Sequence, residues 1–173
     1  MTTRTFERSL SSAEHMEKSR LSIRLLQFFV TGFGVGYCPI APGTAGSVLG
    51  VLLFLPFQTV PLLYALPALT LLFGIGVYTT HFSFALFGEK DPPKIVIDEI
   101  VAILLILFLL PPSIVWWVFG FLLFRVFDIT KPLGIREAET LPCGWGVMAD
   151  DAIAALYTLL ILWPIHYFSG LFL

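Results

Sequence analysis

The sequence predicts an all-α integral membrane bundle, with about five membrane-embedded helices, several of them short, and an N-terminal amphipathic segment. Three observations predict it. Hydrophobic residues make up 57% of the 173 and charged residues only 13%, a balance far more apolar than that of an ordinary soluble core. From residue 45 onward, apolar segments alternate with short polar turns. Two of those segments reach the ~20 residues that cross hydrocarbon as a helix, and an unpaired backbone is not tolerated in lipid, so all of them read as helices.

The chain begins with a basic stretch. Arg4, Arg8, Lys18, Arg20 and Arg24 precede the first apolar run, and residues 1–20 read as a flexible cytoplasmic leader ahead of a single membrane-embedded domain, 21–173. The basic residues suit either a solvated tail or contact with anionic headgroups, which adds about 1 kcal/mol for each one near such a surface. The run "LLQFFVTGFGVG" is too short and too rich in glycine to span, and no small-residue cleavage site follows it, which excludes a secretory signal.

Five apolar segments follow, at 45–57, 61–80, 98–110, 113–127 and 147–168. The second and fifth are long enough to cross. At ~1.5 Å rise per residue the others cover only about 20 Å, so they must thin the bilayer, lean on neighbours or form hairpins. Pro56 and Pro61 bracket one uncharged turn, and Pro111 with Pro112 make another. The charged turns are the alternate ones, with Glu89, Lys90, Asp91 and Lys94 in one and Lys131, Arg136, Glu137 and Glu139 in the other. With the basic N-terminus inside, five passages put both charged turns inside, as the positive-inside rule requires.

Four polar motifs then fall on that one face: "CPIAPGTAGS" entering the first segment, "DE" opening the third, "FRVFD" closing the fourth and "DD" opening the fifth. An ionised residue at a helix centre in lipid costs about 2.5 to 3.5 kcal/mol, so Asp98, Glu99, Arg125, Asp128, Lys131, Asp150 and Asp151 would together cost on the order of 20 kcal/mol if left uncompensated at that depth. They must therefore lie near the interface, pair or bind a ligand. Helix capping accounts for Asp98 and Asp150 singly. It does not account for two adjacent acids in two places and a third on another helix.

Acids outnumber bases in this set, so it calls for a cation. Carboxylates without His or Cys neighbours select Mg²⁺, Mn²⁺ or Ca²⁺ over zinc. His15, His81 and His166 share no common place on this topology, and Cys38 and Cys143 read as isolated buried apolar residues, not a disulfide. Mg²⁺ takes only one or two carboxylates plus phosphate oxygens and water, which implies a phosphate ligand. Gly43, Thr44, Gly46 and Ser47 stand just ahead of a helix N-terminus, which suits either an anion held by free amides or an ordinary Pro-Gly helix start. Arg125 and Asp128, at i and i+3, share a helix face, with Lys131 one turn on if Pro132 does not end the helix first. The glycines of "CGWGVM" suit either close backbone approach or a flexible turn.

The ordered motifs "APGTAGS", "DEIVA", "FRVFDITKP" and "GWGVMADD" resemble those of the phosphatidylglycerophosphatase A family of bacterial membrane lipid phosphatases, over about residues 30 to 165. The first 20 residues have no counterpart in that pattern. The resemblance implies a Mg²⁺-dependent hydrolysis of phosphatidylglycerophosphate to phosphatidylglycerol and inorganic phosphate, at the cytoplasmic side of the inner membrane. By matching positions it implies metal-binding and catalytic acids at Asp98, Glu99, Asp128, Asp150 and Asp151, with catalytic and phosphate-binding bases at Arg125 and Lys131. Thr44 matches a position of the family's first motif, and with Gly43, whose turn offers amide donors, it becomes a further phosphate-binding residue. The implied partners are a phospholipid substrate and the membrane, with no nucleic acid, which the net charge of −2 also disfavours. Two rival classes remain, a phosphoalcohol transferase and a non-enzymatic cation carrier. The first needs an Asp-rich run with Gly, Ala and Arg at fixed spacing on one helix, which is missing, and the second needs acids at mid-depth, whereas these sit at helix ends.

Overall fold

The structure is a computed structural model and describes residues 20–82, 86–88, 92–132, 134–142 and 144–169. The leader up to residue 19, with His15, Glu89, Lys90, Asp91 and Cys143, lies outside the described residues. Every regular element described is helical: α1 (residues 20–30), a 3-10 turn at Val35–Tyr37, α2 (Pro42–Phe54) running into a second 3-10 turn at Leu55–Phe57, and α3 (Leu62–Thr80). α4 (Ile97–Leu109), α5 (Ile114–Thr130), the short α6 (Ile135–Ala138) and α7 (Gly144–Ser169) follow.

The all-α expectation holds, with one correction. Only α3, at 19 residues, and α7, at 26, are long and apolar enough to cross a membrane, so two of the described helices, not about five, meet that requirement. The reason is visible in α4. Beyond its first turn it is apolar all round, and eight of its 13 residues are buried, because α2, α3, α5 and α7 surround it. A helix hydrophobic on every face belongs in a core, and here the core is made of protein.

Ile103, Ile106 and Leu107 of α4 meet Phe124 of α5 and Ala154 and Ala155 of α7 in that core. α2 reaches α4 closely because Gly50 has no side chain: a Cβ there would run into Ile103. Prolines set the helix starts. Pro42 occupies the first turn of α2, where its missing N–H costs nothing, and Pro61, at φ −57° and ψ 142°, turns the chain into α3.

The helices alternate in direction, and their contacts identify two ends. At one end Phe54 packs edge-on against Phe108 and Trp117, with centroids 4.9 and 5.1 Å apart, and Trp116 meets His166 at 5.0 Å. This is the end of the uncharged proline turns. The other end gathers the N-termini of α2, α4 and α7 and the C-termini of α3 and α5, and there the polar residues collect. Cys38 departs from expectation: it is exposed, its thiol 3.3 Å from the Ile40 carbonyl, because it lies in the open link between the 3-10 turn and α2.

Candidate active site

The cleft at the polar end has a volume of about 440 Å³. Gly43, Thr44, Asp98, Glu99, Arg125, Asp128, Lys131, Asp150 and Asp151 all line it. Neither described histidine does so.

α4 supplies Asp98 and Glu99 in its first turn, where the helix dipole favours negative charge. The Glu99 amide donates to Asp98 Oδ1 at 3.1 Å, which orients that carboxylate. α7 supplies Asp150 and Asp151, only 5% and 2% exposed. They do not open this helix, because it begins at Gly144, so they sit in its second turn and capping does not account for them. That early start depends on two glycines. A Cβ at Gly144 would strike the α3 terminus at Val77 and Thr80, and one at Gly146 would come within 2.6 Å of the Glu139 carbonyl. The "CGWG" glycines therefore allow close approach and are helical.

Ligand atoms of Asp98, Glu99 and Asp151 all lie within 4.8 Å of one another. Glu99 Oε2 and Asp151 Oδ2 are buried and have no hydrogen-bond partner among the described residues. Buried carboxylate oxygens crowded in this way are costly unless something positive joins them. An all-oxygen donor set of this kind fits a hard divalent cation.

Two bases border the acids. Arg125 Nη1 lies 2.6 Å from Asp128 Oδ2 in an i,i+3 pair, 3.9 Å from Glu99 Oε1, and donates to Ser47 Oγ at 3.3 Å. One guanidinium thus ties α2, α4 and α5 together. Lys131 is reached differently from the helical continuation considered above. α5 ends at Thr130, and Lys131 takes the left-handed conformation, φ 45° and ψ 57°, that glycine usually supplies at a helix end. This costs a non-glycine residue about 1–2 kcal/mol. It also sends the side chain back to Asp150 Oδ2, at 2.8 Å, and to Glu139. Burial works against its charge, but the bonds to Asp150 and Glu139 outweigh burial and hold its pKa above the ordinary lysine value. Ala41, the other left-handed residue on the cleft, precedes α2 at φ 50°. Backbone outliers of this sort gather at functional sites.

The phosphate motif is shifted from its expected position. α2 starts at Pro42, so Gly43 and Thr44 lie in its first turn, whose amides have no partner within a helix, while Gly46 and Ser47 lie further inside and are buried. A Cβ on Gly43 would push the Glu99 carboxylate from its place and stand 3.2 Å from Arg125 Nη2. Sequence reasoning missed Glu139, eight residues from Lys131 and in contact only because the chain folds back through α6. It also missed the role of Ser47 toward Arg125, 78 positions away, for which no local pattern exists.

The family model of phosphatidylglycerophosphatase A matches residues 28–166. A Bacteroides thetaiotaomicron protein named "Putative phosphatidylinositol-3-phosphatase" is 39% identical over 76% of this chain and 87% of its own length. The phosphatidylglycerophosphatase A of Haemophilus influenzae is 38% identical, over 82% of this chain and 89% of its own. That of Escherichia coli is 36% identical, over 88% and 94%. No solved structure matches the chain significantly. Its apolar helices and its bacterial relatives together mark a membrane-associated bacterial protein with an enzyme's ancestry. With the match extending over most of its length, the chain belongs to the phosphatidylglycerophosphatase A family.

Proposed function

We propose that this protein is a Mg²⁺-dependent lipid phosphatase that hydrolyses phosphatidylglycerophosphate to phosphatidylglycerol and inorganic phosphate at the cytoplasmic face of a bacterial inner membrane. The observation that carries the reading is the close grouping of Asp98, Glu99 and Asp151 beside Arg125 and Lys131 in one cleft. The short helices α2, α4 and α5 are embedded with α3 and α7, and residues 21–173 act as one domain behind a basic leader.

Asp98, Glu99 and Asp151 would hold Mg²⁺, with Asp128 and Asp150 completing the acidic wall. When bound, the ion supplies positive charge to the phosphate oxygens and lowers the cost of the charge that develops on them. Arg125 and Lys131 bind the remaining oxygens by charge-assisted hydrogen bonds. The first-turn amides of Gly43 and Thr44 add donors at the positive end of α2. A carboxylate of the cleft takes a proton from the attacking water as its oxygen bonds to phosphorus and the ester bond breaks, and the leaving alkoxide recovers a proton. The carboxylates thus serve both metal binding and proton transfer.

Phosphate release from the purified protein, measured with phosphatidylglycerophosphate, phosphatidylinositol 3-phosphate and phosphatidic acid in parallel, tests the substrate. The inositol lipid belongs in the panel because a relative at 39% identity carries that name. Preference for phosphatidylglycerophosphate supports the proposal, preference for the inositol lipid reassigns the headgroup, and no release from any lipid returns the weight to transferase or carrier chemistry.

A further inference from the structure

α2 carries a surface feature that the chemistry of the cleft leaves unused. A groove of about 450 Å³ runs along its outer side, lined by Ala41, Thr44, Ala45, Val48 and Leu52, with Ile40 on one bank. The spacing is the three-and-four rhythm of one helix face. Among the described residues, no charged one lines the groove. Ala41 and Thr44 border the polar cleft as well, so the two depressions share a border at the α2 N-terminus, polar on one side and apolar on the other.

We propose that this groove holds one acyl chain of the phospholipid whose phosphate enters the cleft, an inference that rests on the lipid phosphatase reading. Length supports the assignment. From Ala41 to Leu52 the helix rises about 16 Å at ~1.5 Å per residue, close to the ~15 Å half-thickness of a bilayer's hydrocarbon. A lipid with its phosphate at the α2 N-terminus would lay its chain down the groove without leaving its leaflet. Small side chains form the floor where the chain enters, at Ala41 and Ala45, and larger ones, Val48 and Leu52, line the deeper part. Thr44 stands at the junction, where ester meets hydrocarbon. A groove of this kind gives the site a purchase on membrane lipid that a free phosphate monoester in water cannot use.

Two measurements on the full chain test the proposal. The first is photo-crosslinking with phosphatidylglycerophosphate bearing a diazirine midway along one acyl chain, in micelles. Adducts concentrated between Ala45 and Leu52, and competed by unlabelled phosphatidylglycerophosphate but not by phosphatidylcholine, support the groove. Adducts spread over the exposed faces of α3 and α7 overturn it. Because this readout needs no turnover, the groove can stand while the hydrolytic reading fails, or fall while hydrolysis is observed.

The second compares long-chain with short-chain, water-soluble phosphatidylglycerophosphate in Ala45→Phe and in Val48→Trp, whose exposed position tolerates bulk without disturbing the core. In each, the ratio of kcat/KM for the long-chain over the short-chain lipid is expected to fall about tenfold, the value of roughly two methylene groups kept from burial. A ratio unmoved in both folded variants overturns the assignment.

Discussion

Lys131 Nζ lies 2.8 Å from Asp150 Oδ2, so a lysine held in a left-handed helix end closes an ion pair between α5 and α7. The pair joins the two motifs that supply both bases and three of the five acids of the cleft. Replacing the lysine by methionine keeps the stem and deletes the charge. Lys131→Met should lower stability by about 2 kcal/mol, the value of hydrogen bonds to charged groups, read as a lower melting temperature in detergent. A melting curve that matches the unmodified protein would mean that the pair is ornamental.

The same lysine makes a pH prediction. Its folded pKa is raised, so its contribution to stability is fully present below the ordinary value of 10.5 and is lost only as pH climbs through the higher folded value. The melting temperature difference between unmodified protein and Lys131→Met should therefore be flat from pH 6 to about pH 10. A difference that already changes near pH 8 would place the folded pKa of the lysine below its ordinary value.

The acidic triad predicts opposite effects on stability and on activity. Asp151→Asn removes one of several crowded, buried negative charges, so without metal the variant should melt higher than the unmodified protein, by about 1 kcal/mol or more. Mg²⁺ should stabilise the unmodified protein and leave Asp151→Asn nearly unmoved, a linkage that differential scanning fluorimetry reads directly. Equal Mg²⁺ shifts in both would remove Asp151 from the metal site.

Gly43→Ala tests the close contact between α2 and α4. The added methyl pushes aside the Glu99 carboxylate, the end of a flexible side chain, so the effect is expected on activity more than on stability. Activity should fall at least tenfold because Glu99 and Arg125 move together, and a fully active Gly43→Ala would mean that the cleft is looser than described.

The order and approximate extent of the apolar helices were legible in the sequence because hydrophobic runs and proline turns are local signals. Their number as membrane spans was not. α4 looks like one more short membrane-embedded segment in sequence, and only tertiary contacts reveal that other helices surround it. Within the cleft, the Arg125 and Asp128 pair followed from i,i+3 spacing, and the acids were found because adjacent charges in an apolar chain need an explanation. Glu139 and the Ser47 contact depend on how loops and distant helices return, which no periodicity encodes. α7 starts three residues before the expected segment because its glycines, which suited either a turn or close approach, permit close packing against α3 and the loop after α6.

The most direct measurement is phosphate release from phosphatidylglycerophosphate by the unmodified protein and by Asp151→Asn across a Mg²⁺ titration, with EDTA as the zero. Release from the unmodified protein should rise with Mg²⁺ and vanish in EDTA, and the folded variant should release none at any concentration. Equal release in EDTA, or full activity in Asp151→Asn, would contradict a metal-dependent site built on Asp98, Glu99 and Asp151.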